Sequence, residues 1–187
     1  MNQFFSKSLK LTPYITATWV AFFSLNYLIT LIAPYKSHIA LIFLPAGIKI
    51  VFACIHGKEA FFGLLIGSLI TGYLFLEDIA QSYILAFAFM SALSPILSVY
   101  LVDKFMPLGM RLSLLTFNKI ILIALAYAFI CSFLHNTFLL TLNEINFYQY
   151  QQDSIAMFIG DLTGSLIFLG LLSYFRELAF NLTEKYL

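Results

Sequence analysis

The chain has 187 residues, of which 61% are hydrophobic and 10% charged; an ordinary soluble domain carries roughly 45–50% and 25%. A soluble monomer of this size cannot hide that much apolar surface, and a disordered chain needs the opposite balance. The net charge of +1 leaves no basic face for nucleic acid, so the composition points to an all-α integral membrane protein lying mostly within the lipid bilayer.

Six continuous apolar stretches reach or approach the length of about 20 residues that a spanning helix needs. They cover 14–33, 39–55, 60–76, 82–102, 119–142 and 154–175, one transmembrane domain over 1–187. Their apolar runs do not alternate, which excludes barrel strands. The first follows Lys7 and Lys10 and contains Asn26. Its apolar core is too long for a secretory signal and no small-residue cleavage site follows, so we read it as a retained anchor. The second contains Pro45, Gly47, Lys49 and Cys54; Pro45 removes the bond to the Leu41 carbonyl and is expected to kink the helix.

His56-Gly57-Lys58-Glu59 breaks the chain before the third stretch. That stretch carries Gly63-x-x-x-Gly67 and Ser68-x-x-x-Gly72, small-residue stripes of the kind that pack helices where lipid gives no hydrophobic drive. Packing within the chain is the plainer reading, and a homodimer face is the other. The fourth stretch brings Ser91 and Ser94. After it, Lys104, Pro107, Gly109, Arg111 and Lys119 mark the longest break. The fifth holds Cys131, His135 and Asn136, and the sixth Gly160-Asp161-Leu162-Thr163-Gly164. Further breaks fall at Pro34-Tyr35-Lys36, Glu77-Asp78 and between Leu142 and Asp153.

Orientation follows from Lys and Arg placement. Lys7, Lys10, Lys58, Lys104, Arg111, Lys119, Arg176 and Lys185 all fall on one side, against Lys36 on the other. Both termini are therefore expected in the cytoplasm of a bacterial inner-membrane protein. The Asn181-Leu182-Thr183 sequon then lies on the wrong side for glycosylation. Two intramembrane cysteines make no disulfide framework.

Charge within a span is costly and usually faces the bundle interior. Lys49 and Asp161 are the two such residues. At about 1.5 Å per residue, Asn26, His135 and Asp161 lie about 10 Å from the outer ends of their spans, and Lys49 about 15 Å. A lysine can snorkel across that difference. Asn26, Lys49, His135 and Asp161 can thus share one polar layer, with Asn136 as further polar company in the same candidate pocket and Pro45-Ala46-Gly47 and Gly160-Asp161 as irregular segments facing a cavity. Three roles stay open for Lys49 and Asp161: a register-fixing ion pair, a ligand or ion site, and proton coupling. His135 is either a hydrogen-bonded interior histidine or a ligand. One histidine and one aspartate fall short of a transition-metal set. No nucleophile elbow, His-Glu-x-x-His or phosphate loop appears, so we expect no enzyme, no catalytic residue and no cofactor.

At these segments the sequence resembles a known family, the bacterial membrane-associated sensor domain of the first class, MASE1. Its aromatic-Pro-x-Gly-like motif is matched by Phe43-Leu44-Pro45-Ala46-Gly47, its small-residue second helix by Gly63-x-x-x-Gly67-Ser68, and its Gly-Asp-x-x-Gly motif by Gly160 to Gly164. The resemblance covers roughly 39–175. The family usually has tryptophan before the proline and before the Gly-Asp pair, where this chain has Phe43 and Phe158, and more spans than the six read here. The resemblance implies a sensory or ligand-responsive membrane module, for which a small-molecule ligand is one candidate partner. Because little chain follows the last span, the output is expected in a separate membrane or signalling partner. Two other functions fit the sequence: a solute-binding subunit of a transporter, and a structural subunit in which Lys49 and Asp161 set helix register.

Overall fold

The computed structural model describes residues 2–30, 39–76, 80–107 and 117–186. Within them are six helices and no β-strand: α1 (Asn2–Thr30), α2 (Pro45–His56), α3 (Phe61–Phe75), α4 (Gln81–Phe105), α5 (Phe117–Thr141) and α6 (Phe147–Tyr186). The breaks expected at Pro34-Tyr35-Lys36, Glu77-Asp78 and Gly109 with Arg111 lie outside the described residues. The side chains of Arg176, Asn181 and Lys185 are outside them as well.

Four stretches are long and apolar enough to cross a membrane: Pro45–Phe75, Gln81–Phe105, Asn118–Thr141 and Phe147–Tyr174. The sequence reading expects six. Helix α1 is not among the four, because Thr12, Pro13, Thr16, Thr18, Ser24 and Asn26 dilute its apolar content. Pro45–Phe75 covers most of two of the expected spans, 39–55 and 60–76, and the chain folds back inside it. Gly57 caps α2 with φ +56° and ψ −134°, a positive-φ conformation open to glycine because it has no Cβ. The 3-10 turn Gly57–Ala60 follows. Lys49 of α2 and Ser68 of α3 then both reach Ser91 of α4. In one straight helix their 19-residue separation would put them almost 30 Å apart.

The second expected span needs a larger correction. Residues 39–44 are not helical, and Pro45 begins α2. Proline at the first helical position loses no bond, since that N–H has no partner there anyway. The expected kink is replaced by a helix start. Conversely, Gly160 to Gly164 is not irregular but regular helix within α6.

Helix α6 begins at Phe147, seven residues before the expected span. Asn146 and Gln149 form a reciprocal cap: Gln149 N–H donates to Asn146 Oδ1 and Asn146 N–H to Gln149 Oε1, both at 2.9 Å. Asn143, with φ +58°, turns the chain between α5 and α6.

Around the bundle α1 packs on α3, α3 on α4, α4 on α5, α5 on α6 and α6 on α2. Helix α2 also touches α4, α1 and α5. Residues Pro45 to Ile50, Phe52 and Ala53 are buried, so this short helix is enclosed on almost every face. The outer surfaces of α4 to α6 expose Leu85, Phe89, Phe129, Phe133 and Ile155. That apolar surface suits lipid and would be a liability in water.

Glycines act as close-approach points between elements. A Cβ on Gly63 would lie 2.6 Å from Ile15 of α1, one on Gly67 2.4 Å from Trp19, and one on Gly72 2.7 Å from Ile84 of α4. These contacts lie within one chain.

Candidate functional site

The non-helical segment 39–44 lies on α6. Phe43 N–H donates to the Gly160 carbonyl at 3.0 Å. The Thr163 hydroxyl lies 3.1 Å from the Leu41 carbonyl. From α1, Asn26 Oδ1 accepts the Leu44 N–H at 3.0 Å, serving the start of α2 from a neighbouring helix. Non-helical backbone at membrane depth is tolerated where protein satisfies its polar groups. The approach is close because α6 has no side chain there: a Cβ on Gly160 would sit 1.9 Å from the Ala40 carbonyl oxygen, and one on Gly164 2.1 Å from that of Phe43. The two sequence motifs are thus the two halves of one contact.

Beside this contact lies a cavity of about 110 Å³. Its wall includes Trp19, Asn26, Phe43, Lys49, Ser68, Thr71, Phe87, Ser91, Cys131, His135 and Asp161. Four residues of the expected polar layer, Asn26, Lys49, His135 and Asp161, therefore line one space. The other expected site residues do not line it. Pro45 starts α2, and Gly47 faces Phe168, whose Cβ would be 2.5 Å from an added methyl. Asn136 is buried and donates to the Ser132 carbonyl at 2.9 Å. Gly160 holds the segment.

Lys49 is 2% exposed. Its Nζ donates to Ser91 Oγ. It also stands 4.3 Å from the centroid of the Trp19 ring and 5.7 Å from that of Phe43. A desolvated cation over an aromatic face is stabilised by about 2 kcal/mol or more. Trp19 is held by an Nε1–H bond to Thr71 at 3.3 Å and lies against Gly67. The glycine stripe of α3 therefore seats the ring beneath the ammonium. Ser91 has a second feature. Pro95, four residues on within α4, has no N–H to give its carbonyl.

Asp161 is also 2% exposed, and its Oδ2 has no hydrogen-bond partner among the described residues. No ion pair joins it to Lys49: neither has an opposite charge within 4.0 Å among the described residues. The contact ion pair considered from the sequence is not formed. Tyr127 Oη of α5 and Ser165 Oγ of α6, one helical turn from Cys131 and Asp161, are likewise buried without a hydrogen-bond partner among the described residues. His135 places Nδ1 2.9 Å from the Cys131 carbonyl. A carbonyl only accepts, so that nitrogen carries the proton. The ring meets Phe87 edge-on at 5.0 Å. Among the described residues, no three His, Cys, Asp or Glu side chains stand close enough to hold a metal.

Sequence reasoning did not find Trp19, Thr71 or Tyr127. Trp19 carried one available signal: it lies seven residues, two helical turns, before Asn26 on α1.

The helices and their apolar surface define an all-helical membrane protein. Its family follows from comparison: the chain belongs to the MASE1 family, whose model matches residues 9–186, and MASE1 is a membrane-associated sensor domain family. The match extends beyond 39–175 to take in most of α1. No curated protein and no solved structure matches the chain.

Proposed function

We propose that this chain is a membrane-embedded sensory module that binds a small molecule in the cavity between segment 39–44 and α6, and performs no catalysis of its own. The observation that carries the reading is the docking of Phe43–Leu44 onto Gly160–Gly164, with Lys49 and Asp161 on the same cavity and not in contact. An occupant of that cavity touches both sides of the contact. Displacement of the segment acts directly on α6. That helix, at 40 residues, is about 60 Å long, roughly twice the hydrocarbon thickness. It therefore carries a shift out of the bilayer toward an output domain.

The same reading takes six crossings, with both termini in the cytoplasm of a bacterial inner-membrane protein. Helix α2 covers about 18 Å, and the non-helical residues 39–44 that lead into it lengthen the same crossing toward a core of about 30 Å. The Lys and Arg distribution supports the orientation.

The test is gentle purification from native membranes, with mass spectrometry of proteins and small molecules and a photo-crosslinker at Tyr174. The reading expects a signalling output domain crosslinked at that position, and a bound small molecule that Asp161→Asn loses. Recovery of a transport ATPase instead, with solute uptake abolished by the same substitution, would favour a solute-capture subunit and refute the sensor.

A further inference from the structure

The chemistry of the cavity narrows its ligand. Its two charged wall residues have opposite sign, and they are not close enough to satisfy one another. Lys49 has three N–H donors. One goes to Ser91, and the ring of Trp19 takes part of the remaining charge. Asp161 keeps one oxygen without a partner among the described residues. The site thus offers spare donors on α2 and a spare acceptor on α6. A charged ligand with only one sign would meet one of them and leave a net charge buried, which costs far more than a paired one. A ligand with both signs meets both and leaves none.

Size limits it further. A dry cavity of about 150 Å³ accommodates benzene, with six non-hydrogen atoms. The cavity here is about 110 Å³. Its enclosed ligand is therefore about four to five non-hydrogen atoms in all, scaling by that volume. Phe43 and Phe87 supply apolar wall.

We propose that the cavity binds a small zwitterion of the amino-acid type, its carboxylate on Lys49 and its ammonium on Asp161. The inference rests on the sensory reading for its purpose and on the cavity alone for its chemistry. Binding brings the α2 and α6 sides of the cavity together through the ligand, where they have no direct ion pair.

The chain carries its own reporter, because Trp19 is the only tryptophan and lies under the Lys49 ammonium. The full chain in lipid nanodiscs is titrated with glycine, L-alanine, acetate, methylammonium and acetamide while Trp19 emission is followed. Glycine or L-alanine should give a saturable change. Acetate, methylammonium and acetamide should bind at least tenfold more weakly, since each lacks one or both charged ends. Lys49→Met and Asp161→Asn should each weaken zwitterion binding tenfold or more. The ligand series on the unaltered chain stands even if a variant does not fold.

Acetate binding as well as glycine would overturn the proposal and make the site an anion site. Methylammonium doing so would make it a cation site. No saturable change with either zwitterion also overturns it. That failure is separable from failure of the sensory reading. Zwitterion binding with no effect on the Tyr174 crosslinked output rejects the sensor and keeps the ligand class. An output that depends on Asp161 without zwitterion binding does the reverse.

Discussion

Gly160→Ala tests the contact on which the site is built. The added methyl carbon would lie 1.9 Å from the Ala40 carbonyl oxygen, whereas carbon and oxygen come no closer than about 3.3 Å even in favourable contacts. The obstacle is backbone and cannot rotate away, so segment 39–44 must retreat by more than an ångström. That opens the 3.0 Å bond from Phe43 N–H to the Gly160 carbonyl beyond hydrogen-bonding range. An unsatisfied backbone group in a membrane interior costs several kcal/mol, and overpacking adds about 1–3 kcal/mol. The expected loss is about 3–5 kcal/mol in total. Gly170 provides a control on the same helix, since an added Cβ there meets nothing within 4 Å. Gly170→Ala should be neutral or stabilising by up to about 1 kcal/mol. The assay is reversible unfolding of the chain in mixed micelles by rising SDS fraction, followed by Trp19 emission. Equal stability of Gly160→Ala and Gly170→Ala would refute the docking.

Other substitutions probe the remaining supports by the same unfolding assay. Asn26→Ala leaves the Leu44 N–H without its acceptor and should cost about 1–3 kcal/mol; a neutral result would mean that this bond does not hold the start of α2. Gly57→Ala forces a side chain into φ +56° with ψ −134°, and Gly57→Asn does the same; each should cost about 1–3 kcal/mol, and a neutral result would mean that this turn does not need glycine. Asn146→Ala removes the reciprocal cap of α6 and should cost about 1 kcal/mol, with exchange of the Phe147 to Tyr150 amides speeding up first.

The sequence makes the membrane class legible, because composition alone excludes a soluble core. It also supplies Asn26, Lys49, His135 and Asp161 as one layer, since depth depends only on rise per residue and charges in lipid are few. Rotation about each helix axis is a different matter. Asn136 follows His135 directly yet turns away from the cavity, a difference of about 100° that no count of depth detects. Pro45 was misread for a related reason. A proline within an apolar run reads equally as a kink or as a first turn, and the choice rests on Gly160, more than a hundred residues away. The glycine stripe of α3 was visible as packing, but its consequence, a tryptophan seated beneath a lysine, needed the partner helix. The capping residues Asn146 and Gln149 were legible and would have placed the start of α6 correctly; hydropathy alone placed it too late.

The central claim is that the cavity between segment 39–44 and α6 governs where the far end of α6 stands. The direct measurement is the distance between labels at Phe105 and Tyr174, both exposed and at the C-terminal ends of the apolar stretches Gln81–Phe105 and Phe147–Tyr174. Attachment through a keto amino acid at both positions leaves Cys54 and Cys131 in place. In nanodiscs, the account predicts a distance distribution that shifts in Asp161→Asn and Lys49→Met relative to the unaltered chain. Superimposable distributions in all three folded proteins would contradict it.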